Sequence, residues 1–412
     1  MRHVLAIQSA RIGDLAQSAR LLKSLRAEPG AVVHLCVDHS LAALATVLYP
    51  FTVVHALPMH ASGGITPAQV LDRADAGLAE LAAVPFEAVY TLNASPLSYA
   101  LAGLFDPDSV HGYARRGGQP MRDQRPRVFS RRAGNRAQAP LNLVDLWGFL
   151  HPRPVPPEAV NPIPKRRGTG RVGVVMTGRQ ARRSLPPEVL GPCLQAVFQA
   201  QGGPTLVALG GAGERPLVRR VARHLSPQAE RKLEDLTGIP ALHELPEILQ
   251  TLDMVITPDT GLMHLAAHVG TPVQAFFLSS AWCFETGPYG FGHKVWQAVE
   301  PCSPCLESAP CPRNTACLAP FSHPAFLAHL TGKFSSEWPA GLTGLVSMLD
   351  AFGVTYRPVD GEDPHAAQRA ALRNGLAEYC GGRLGSVPPG TGEELFQEAD
   401  WMLPPSVGAG AL

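Results

Sequence analysis

A regular alternation of short apolar runs with longer amphipathic segments restricts the fold of this chain more than any other feature. The run His3–Ile7 leads into Ile12–Arg26, where apolar residues recur at the spacing of one helix face. The pattern continues with strands predicted at Val32–Val37, Thr52–Leu57 and Ala88–Leu92 and helices at Ser40–Leu48, Pro67–Ala82 and Leu97–Leu104. Such alternation is typical of a parallel sheet with helices on both faces.

The alternation stops at a proline-rich segment and then starts again. His151–Gly170 contains six prolines, which indicates an interdomain linker. Beyond it, strands are predicted at Arg171–Met176, Thr205–Leu209, Leu252–Ile256 and Val273–Phe277, and helices at Pro187–Gln199, Arg215–His224 and Gly261–His268. Two doubly wound domains joined in this way predict a cleft between the carboxyl edges of two sheets, where small ligands bind.

We therefore expect two Rossmann-like α/β domains, at residues 1–150 and 171–333, with the linker 151–170 between them. The remaining residues, 334–412, carry no recognisable motif. Glycine and proline punctuate this part of the chain, and Leu342–Phe352 and Pro364–Tyr379 look helical. We expect a mainly helical extension there.

The composition describes a globular protein and excludes some partners. Hydrophobic residues make up 45% of the 412 positions, and the net charge of +1 gives no overall electrostatic basis for binding nucleic acid. No apolar run approaches the roughly 20 residues that span a bilayer. The N-terminal run meets Arg11 and Asp14 before a signal peptide could form. We expect a cytoplasmic protein with at most peripheral contact with the inner membrane.

The segment TPDTGLMHLAA, residues 257–267, follows a predicted strand and has features of an anion-binding helix start. Backbone N–H groups at a helix N-terminus attract anions, and Gly261 would let a ligand approach without a Cβ in the way. Thr260 adds a hydroxyl, and His264 lies one turn further on. Taken alone, Asp259 and Thr260 are better explained as an ordinary N-cap.

Three other strand ends carry chemically useful side chains. Asp14 follows the first strand, where a carboxylate could accept a proton from a substrate hydroxyl. The loop from Thr177 contains Arg179 and Arg183, and guanidinium groups pair well with pyrophosphate. Glu214 follows a glycine-rich turn and could accept from ribose hydroxyls. In isolation, a helix cap, a solvated basic loop and a plain turn explain these three sites equally simply or better.

Half of the eight cysteines lie close together in the sequence, at Cys302, Cys305, Cys311 and Cys317. Their spacing, C-x2-C-x5-C-x5-C, could place four thiolates around a structural zinc or iron ion. Reduced thiols without a metal are the open alternative. The remaining cysteines are scattered and do not indicate a disulfide scaffold.

Several segments, in this order, resemble glycosyltransferase family 9, the ADP-heptose:lipopolysaccharide heptosyltransferase family. The matching segments are Arg11–Leu15, Leu21–Arg26, Leu209–Glu214, Leu236–Ile239, Leu245–Leu249, Thr257–Ala267, Gly270–Pro272 and Thr286–Gly290. The resemblance covers about residues 1–333 and is most specific in the second domain. It implies a GT-B fold, in which two Rossmann-like domains face each other across a cleft, and an inverting transferase that needs no cofactor for catalysis.

The resemblance also implies roles for individual residues. Asp14 matches the base that deprotonates the acceptor hydroxyl, and Arg183 takes the place of a cation that stabilises the leaving diphosphate. The resemblance implies donor contacts at Glu214, Asp259, Thr260, Gly261, Leu262 and His264. Thr177 and Arg179, from the arginine-containing loop, complete the predicted donor-binding residues. Asn93 is a candidate acceptor contact. The cysteine cluster resembles a cysteine-rich loop that recurs in the family, and protein heptosyltransferases of the family hold iron with four cysteines at other spacings.

The family usually has Lys-x-Trp-Pro where this chain has Arg183, Ser184, Leu185 and Pro186. Arginine keeps the positive charge but is not equivalent to lysine. The resemblance implies an ADP-sugar as the donor. It implies a lipopolysaccharide core, another lipid-linked or envelope glycan, or a protein as the acceptor. A non-catalytic nucleotide-binding relative is an alternative. A Rossmann oxidoreductase is disfavoured, because the first strand does not lead into Gly-x-Gly-x-x-Gly.

Overall fold

The computed structural model describes residues 1–60, 66–116, 119–122, 136–178, 181–305, 309–333 and 337–380. The chain divides into two compact units. The first comprises Met1–Pro156 and the last helix from Arg369, and the second comprises Pro157–Gln368. Among the described helices, none is long and apolar enough to cross a membrane.

The first unit is built on a six-stranded sheet in the order β3-β2-β1-β4-β5-β6. Its strands are β1 (Arg2–Gln8), β2 (Ala31–Asp38), β3 (Thr52–Leu57), β4 (Phe86–Thr91), β5 (Val110–Arg116) and β6 (Gln119–Arg122). Its helices before the linker are α1 (Ile12–Gln17), α2 (Ala19–Ala27), α3 (Ala42–Leu48), α4 (Pro67–Ala82), α5 (Pro96–Ala102) and α6 (Leu143–Gly148). The first five strands of this order are parallel and β6 is antiparallel to β5, so the predicted doubly wound sheet is confirmed.

The predicted helix Ile12–Arg26 is divided into α1 and α2 at Ser18. The Ser18 hydroxyl donates to the Asp14 carbonyl at 2.9 Å and accepts from Gln8 Nε2 at 3.1 Å. A serine hydroxyl that bonds to the preceding turn competes with the helix and bends it. The fully buried Gln8 also donates to the Asp14 carbonyl at 3.1 Å, so this side chain fixes the start of the interruption.

A buried ion pair ties two helices of the first unit together. Arg20 of α2 donates to Asp145 of α6 at 2.6 Å, and both side chains are almost completely buried. Arg20 also donates to the Val155 carbonyl at 3.0 Å and lies 5.1 Å from the centre of the Phe149 ring. A buried charge that lost its partner would be strongly destabilising, so the two residues depend on each other.

Three histidines form a row across neighbouring strands of the same sheet. His3 Nδ1 lies 2.9 Å from His34 Nε2, and His34 Nδ1 lies 2.8 Å from His55 Nε2. His55 Nδ1 in turn lies 3.6 Å from the Glu80 carboxylate. Burial and the two neighbouring imidazoles lower the pKa of His34 to about 4. His34 is therefore neutral near pH 7.

The second unit contains an eight-stranded sheet in the order β14-β13-β12-β11-β10-β7-β8-β9. Its strands are β7 (Arg171–Val175), β8 (Thr205–Leu209), β9 (Leu233–Asp235), β10 (Met254–Thr257), β11 (Val273–Phe277), β12 (Lys294–Ala298), β13 (Leu342–Asp350) and β14 (Gly353–Asp360). Its helices are α7 (Pro187–Ala200), α8 (Arg215–Ala222), α9 (Pro227–Arg231), α10 (Leu245–Gln250), α11 (Gly261–His268), α12 (Cys283–Thr286) and α13 (Pro324–Leu330). The six neighbouring strands β12, β11, β10, β7, β8 and β9 are parallel, which places their carboxyl ends along one edge of the sheet.

The helix predicted at Leu342–Phe352 is wrong. This segment forms β13 and the turn into β14, and the two strands extend the second sheet in antiparallel fashion beside β12. Gly344 is required there, because a Cβ at this position would lie 2.6 Å from the Trp296 ring. Asp350 makes the turn by accepting from the Phe352 and Gly353 amides at 2.8 and 3.0 Å.

The second predicted helix of the extension, Pro364–Tyr379, is confirmed as α14 (Ala366–Cys380). Arg369 and Arg373 are buried and lie one turn apart on this helix. They donate to the carbonyls of Ala137 and Pro140 at 2.8 and 2.7 Å. The described part of the extension is therefore half hairpin and half helix, in place of the expected mainly helical segment.

Candidate active site

The carboxyl end of β10 carries the strongest candidate site of the second unit. Thr260 is the N-cap of α11, and its hydroxyl accepts from the Met263 amide at 3.3 Å. The first helical residues, Gly261 and Leu262, have no acceptor for their amides inside the helix. Their N–H groups, with the positive end of the helix dipole, form an anion-binding position directly after the strand.

Asp259 is buried beside this helix start and is held by two donors. Its Oδ2 atom accepts from Arg183 Nη1 at 2.9 Å and from Thr286 Oγ1 at 3.2 Å. His264 Nε2 lies 3.8 Å from the other carboxylate oxygen. These four side chains, Asp259, Arg183, Thr286 and His264, form what we call the Asp259 cluster.

His264 cannot supply positive charge to this cluster near neutral pH. Burial and, to a smaller extent, the nearby Arg183 guanidinium lower its pKa to about 3. The cationic side chain of the Asp259 cluster is therefore Arg183, and His264 acts as a neutral imidazole that can donate or accept a hydrogen bond.

Arg183 reaches Asp259 because the loop after β7 passes close to the end of β10. The Gly178 amide donates to Ser184 Oγ at 2.7 Å. A Cβ on Gly178 would lie 2.9 Å from Arg183 Cβ and 3.2 Å from the Asp259 carbonyl. Glycine is thus needed for the two loops to approach. Arg179, the other arginine predicted in this loop, lies outside the described residues.

Glu214 follows β8, next to β7 in the sheet, and lies near Thr177. Its Oε1 atom accepts from the Gly211 amide at 3.0 Å, and its Oε2 atom is buried with no hydrogen-bond donor among the described residues. Burial raises the pKa of Glu214, while the Gly211 amide and the nearby Thr177 partly oppose this rise. Gly210 has a φ of 157°, and any side chain there would overlap the Glu214 carboxylate. A buried oxygen that still requires a donor is suited to a ligand hydroxyl.

Asp14 and Asn93 both lie in the first unit, after the neighbouring strands β1 and β4. Asp14 is in the first turn of α1, and its Oδ2 atom accepts from the Arg11 amide at 3.1 Å. The side-chain oxygen of Asn93, Oδ1, accepts from the Ser9 amide at 2.7 Å and from the Ser9 hydroxyl at 3.1 Å. Ser9 also bonds to Ser98 Oγ at 2.7 Å. Asn93 therefore holds the loop that leads to Asp14.

The four clustered cysteines line one cavity of about 580 Å³ in the second unit. Cys305 Sγ accepts from Arg182 Nη2 at 3.1 Å, and Cys311 Sγ accepts from the Thr315 amide at 3.2 Å. Burial raises the pKa of Cys305, whereas the amides of Thr315 and Arg313 lower that of Cys311.

The structural zinc or iron ion stays a prediction for this loop. In the described part of the chain, which omits residues 306–308 of this loop, no three His, Cys, Asp or Glu side chains form a group that could hold a metal ion. Two of the sulfurs accept hydrogen bonds from N–H donors, and an arginine touches one of them.

The structure brings those predicted donor-side residues that it describes, which excludes Arg179, to one sheet edge at the ends of the adjacent strands β7, β8 and β10. Sequence reasoning did not assign a role to Thr286, Gly178, Ser184 or Gln8, although the Thr286-Gly287 pair was part of the family resemblance. Their roles depend on contacts between distant segments, which no local pattern indicates.

One family model and several solved structures are similar to this chain. Residues 196–314 match the family model described as glycosyltransferase family 9 (heptosyltransferase). No curated protein sequence matches the chain. Solved structures are similar in fold, among them a glycosyltransferase family 9 protein from Veillonella parvula with a TM-score of 0.56, at 15% identity over 73% of this chain and 88% of that one.

Two E. coli structures are similar to the same degree. ADP-heptose lps heptosyltransferase II gives a TM-score of 0.53 and 15% identity, covering 72% of this chain and 90% of that one. Heptosyltransferase WaaC with ADP gives a TM-score of 0.53 and 16% identity, covering 70% of this chain and 91% of that one. At these identities the likeness shows the fold, which is the GT-B fold with two Rossmann-like units.

The fold is that of GT-B glycosyltransferases, and the family match of residues 196–314 lies within its second unit. The match over residues 196–314 contains the Asp259 cluster except for Arg183, together with Glu214. Over residues 196–314 the chain is similar to glycosyltransferase family 9, the heptosyltransferase family.

Proposed function

We propose that the protein transfers a heptose, or a closely related sugar, from an ADP-sugar to a hydroxyl group of a lipopolysaccharide core or another envelope glycan. The observation that carries this proposal is the Asp259 cluster beside the N-terminus of α11. It combines an arginine, a buried carboxylate and free helix amides, which are the groups that a sugar diphosphate requires.

In this proposal the donor diphosphate binds at the start of α11. The amides of Gly261 and Leu262 and the Thr260 backbone receive phosphate oxygens, and Arg183 balances their charge. Asp259 accepts hydrogen bonds from hydroxyls of the sugar, with His264 as a neutral neighbour. Thr177 lies on the same edge, and Arg179 of the same loop is a further donor contact in the proposal.

Glu214 is the proposed ribose contact. Its buried Oε2 atom requires a donor, and a vicinal ribose hydroxyl supplies one. Choice of ADP over other nucleotides rests on the relatives. The E. coli structure with ADP and its counterpart named as an ADP-heptose transferase indicate an adenine nucleotide.

Asp14 is the proposed base. It takes the proton of the acceptor hydroxyl as the hydroxyl oxygen attacks the anomeric carbon from the face opposite the diphosphate. The new C–O bond forms with inversion while the bond to the diphosphate oxygen breaks, and ADP leaves with the electron pair. Charge develops on that oxygen, so Arg183 and the α11 amides stabilise the transition state more than the ground state.

The acceptor is proposed by class only, and a protein hydroxyl is the alternative within the same family. Asn93 reaches an acceptor only through its amide nitrogen, because its oxygen is engaged by Ser9. We propose a cytoplasmic reaction with at most peripheral membrane contact. No nucleic acid is involved, in keeping with the net charge of +1.

Calorimetric titration tests the donor site directly. We expect ADP and ADP-heptose to bind, and UDP-sugars and NAD to bind at least tenfold more weakly. A ligand at 100 times its Kd should stabilise the protein by about 2.7 kcal/mol in a thermal-shift assay. Release of ADP from ADP-heptose in the presence of lipopolysaccharide-core acceptors then tests transfer. If ADP binds but no glycan or protein acceptor leads to release of ADP from ADP-heptose, the result would point to the non-catalytic alternative. Preferential binding of NAD would overturn the donor proposal.

A further inference from the structure

The interruption between α1 and α2 replaces helix hydrogen bonds with bonds to side chains of the first unit. In a continuous α-helix the Asp14 carbonyl would accept from the Ser18 amide, four residues later. Here the Asp14 carbonyl accepts from Gln8 Nε2 at 3.1 Å and from Ser18 Oγ at 2.9 Å, and the Ser18 amide donates to the Leu15 carbonyl at 3.2 Å. The Gln8 carboxamide also accepts from the Ala10 amide at 3.2 Å, so it ties the end of β1 to this turn.

A tyrosine that follows α3 takes the next two carbonyls of α1. The Tyr49 hydroxyl donates to the Leu15 carbonyl at 2.8 Å and lies 3.2 Å from the Ala16 carbonyl. In a continuous helix these two carbonyls would accept from the amides of Ala19 and Arg20. The carbonyls of three consecutive residues, 14 to 16, therefore have side-chain donors.

The three side chains that end α1 are Gln8, Ser18 and Tyr49, which we call the break residues. All three are completely buried. Burying polar side chains is costly unless each is hydrogen-bonded, and a continuous helix would satisfy the same carbonyls with its own amides. The stability of the fold therefore does not require this interruption. Departures from the locally simplest structure are typical of functional positions.

The position of Asp14 depends on the interruption. Residues seven or eleven positions apart lie nearly in line on an α-helix, so in a continuous helix Asp14 would share one face with Leu21 and Leu25. Both leucines are buried. Asp14 itself is only half-buried, and its Oδ2 atom accepts from the Arg11 amide at 3.1 Å. The interruption thus keeps the carboxylate off the buried face of α2.

We propose that the break residues are positioning residues, which hold the end of α1 so that the Asp14 carboxylate reaches the acceptor hydroxyl. This role rests on the proposed function of Asp14 as the base. Because the break residues are completely buried, they act only through the backbone of α1. A misplacement of about 1 Å can lower a rate by about 10²-fold, so a small shift of this turn is measurable as turnover.

The double variant Ser18→Ala/Tyr49→Phe tests the proposal, since it removes two hydroxyls and adds no atoms to the core. We expect α1 and α2 to join, so that the amides of residues 18–21 exchange with deuterium about tenfold more slowly, as measured by mass spectrometry. With ADP-heptose and a lipopolysaccharide-core acceptor, kcat should fall about tenfold or more. The KM for the donor and the Kd of ADP should change by less than about twofold, because the donor site is not touched.

Ser24→Ala is the matched control. The Ser24 hydroxyl is also buried in α2, donates to the carbonyl of Arg20, four residues earlier, at 2.6 Å and accepts from the Val155 amide at 2.9 Å. Ser24 lies away from the interruption, so this variant should keep the wild-type kcat and the wild-type exchange of residues 18–21. If urea unfolding shows that the double variant does not fold, Ser18→Ala alone provides the same test.

Three results would overturn the inference. Unchanged or faster exchange of residues 18–21 in the double variant would show that the break residues do not hold the helix open. A wild-type kcat in that variant, or an equal loss in Ser24→Ala, would show that the interruption does not position the base. If Asp14→Asn turned over normally, the role of Asp14 as the base would fall and the positioning role with it. Slower exchange in the double variant would still stand, so the two failures can be told apart.

Discussion

Replacement of Arg183 tests the proposed donor site most directly. Arg183 is the cation of the Asp259 cluster, and its side chain is 30% exposed, whereas that of Asp259 is 3% exposed. Arg183→Ala removes a charge-assisted hydrogen bond to the bound diphosphate, which typically contributes about 1.5–3 kcal/mol. At 1.4 kcal/mol per decade, ADP should bind about 10- to 100-fold more weakly.

The same substitution removes a partner of Asp259, so a purely structural effect must be separated from a binding effect. A double-mutant cycle with Asp259→Asn makes this separation. Asparagine is neutral and does not need the arginine, but it can still accept from Thr286. If Arg183 contacts the diphosphate, Arg183→Ala weakens ADP binding by a similar factor in the Asp259→Asn background.

Isothermal titration calorimetry with ADP on the four proteins measures the cycle, and urea unfolding confirms that each variant is folded. A loss of affinity that falls below twofold in the Asp259→Asn background would refute the reasoning, because Arg183 would then act only by holding Asp259. Arg183→Lys is the informative conservative variant. Lysine is a point charge without the planar fork of arginine, and we expect it to recover only part of the affinity.

Further predictions concern the first unit. Asp14→Asn keeps a side-chain acceptor for the Arg11 amide but removes the base. ADP affinity should therefore persist, while the rate of transfer, measured as ADP release, falls about 10²–10⁴-fold. Normal turnover would contradict the assignment. Asp145→Ala leaves the Arg20 charge buried and should destabilise the unit by about 3–5 kcal/mol in urea unfolding, with recovery in the double variant Arg20→Met/Asp145→Leu; a loss below 1 kcal/mol would show that water reaches the arginine. The pKa of His34 is about 4 in the folded protein, below the ordinary 6.5. Between these pH values the unfolded chain binds more protons than the folded protein. The free energy of unfolding should therefore fall by up to about 3 kcal/mol as the pH drops from 6.5 to 4. His34→Gln should reduce this pH dependence in unfolding titrations, and an unchanged profile would contradict the assignment.

The strands and helices of both units could be predicted because their signals are local. Apolar runs end at polar or glycine residues, and helices such as α11 begin at a Thr cap, so periodicity and capping residues agree. The positions of Asp259 and Glu214 follow from the same reasoning, because parallel strands place their carboxyl ends at one edge.

The hairpin of β13 and β14 could not be predicted in this way. Most of β13 is buried, since the strand lies inside the sheet between β12 and β14. Its apolar residues therefore do not alternate, and they happen to recur at helical spacing. Arg369 and Arg373 illustrate a second limit. Their acceptors are carbonyls more than 230 residues earlier in the chain, and a backbone carbonyl leaves no trace in the sequence.

The charges of the Asp259 cluster also give a physical reason for the arginine that replaces the usual family lysine. His264 is kept neutral by burial, so one side chain must both neutralise the buried Asp259 and attract a diphosphate. A lysine ammonium is a single compact charge, and its bond to Asp259 would direct it away from a second anion. A guanidinium has five N–H donors in a planar fork and can bond to two anions along different edges at once. The Thr286 hydroxyl also donates a hydrogen bond to Asp259 Oδ2. Arg183→Lys combined with Thr286→Val should therefore lose more ADP affinity than the two single changes together, because lysine would then be drawn entirely to the carboxylate.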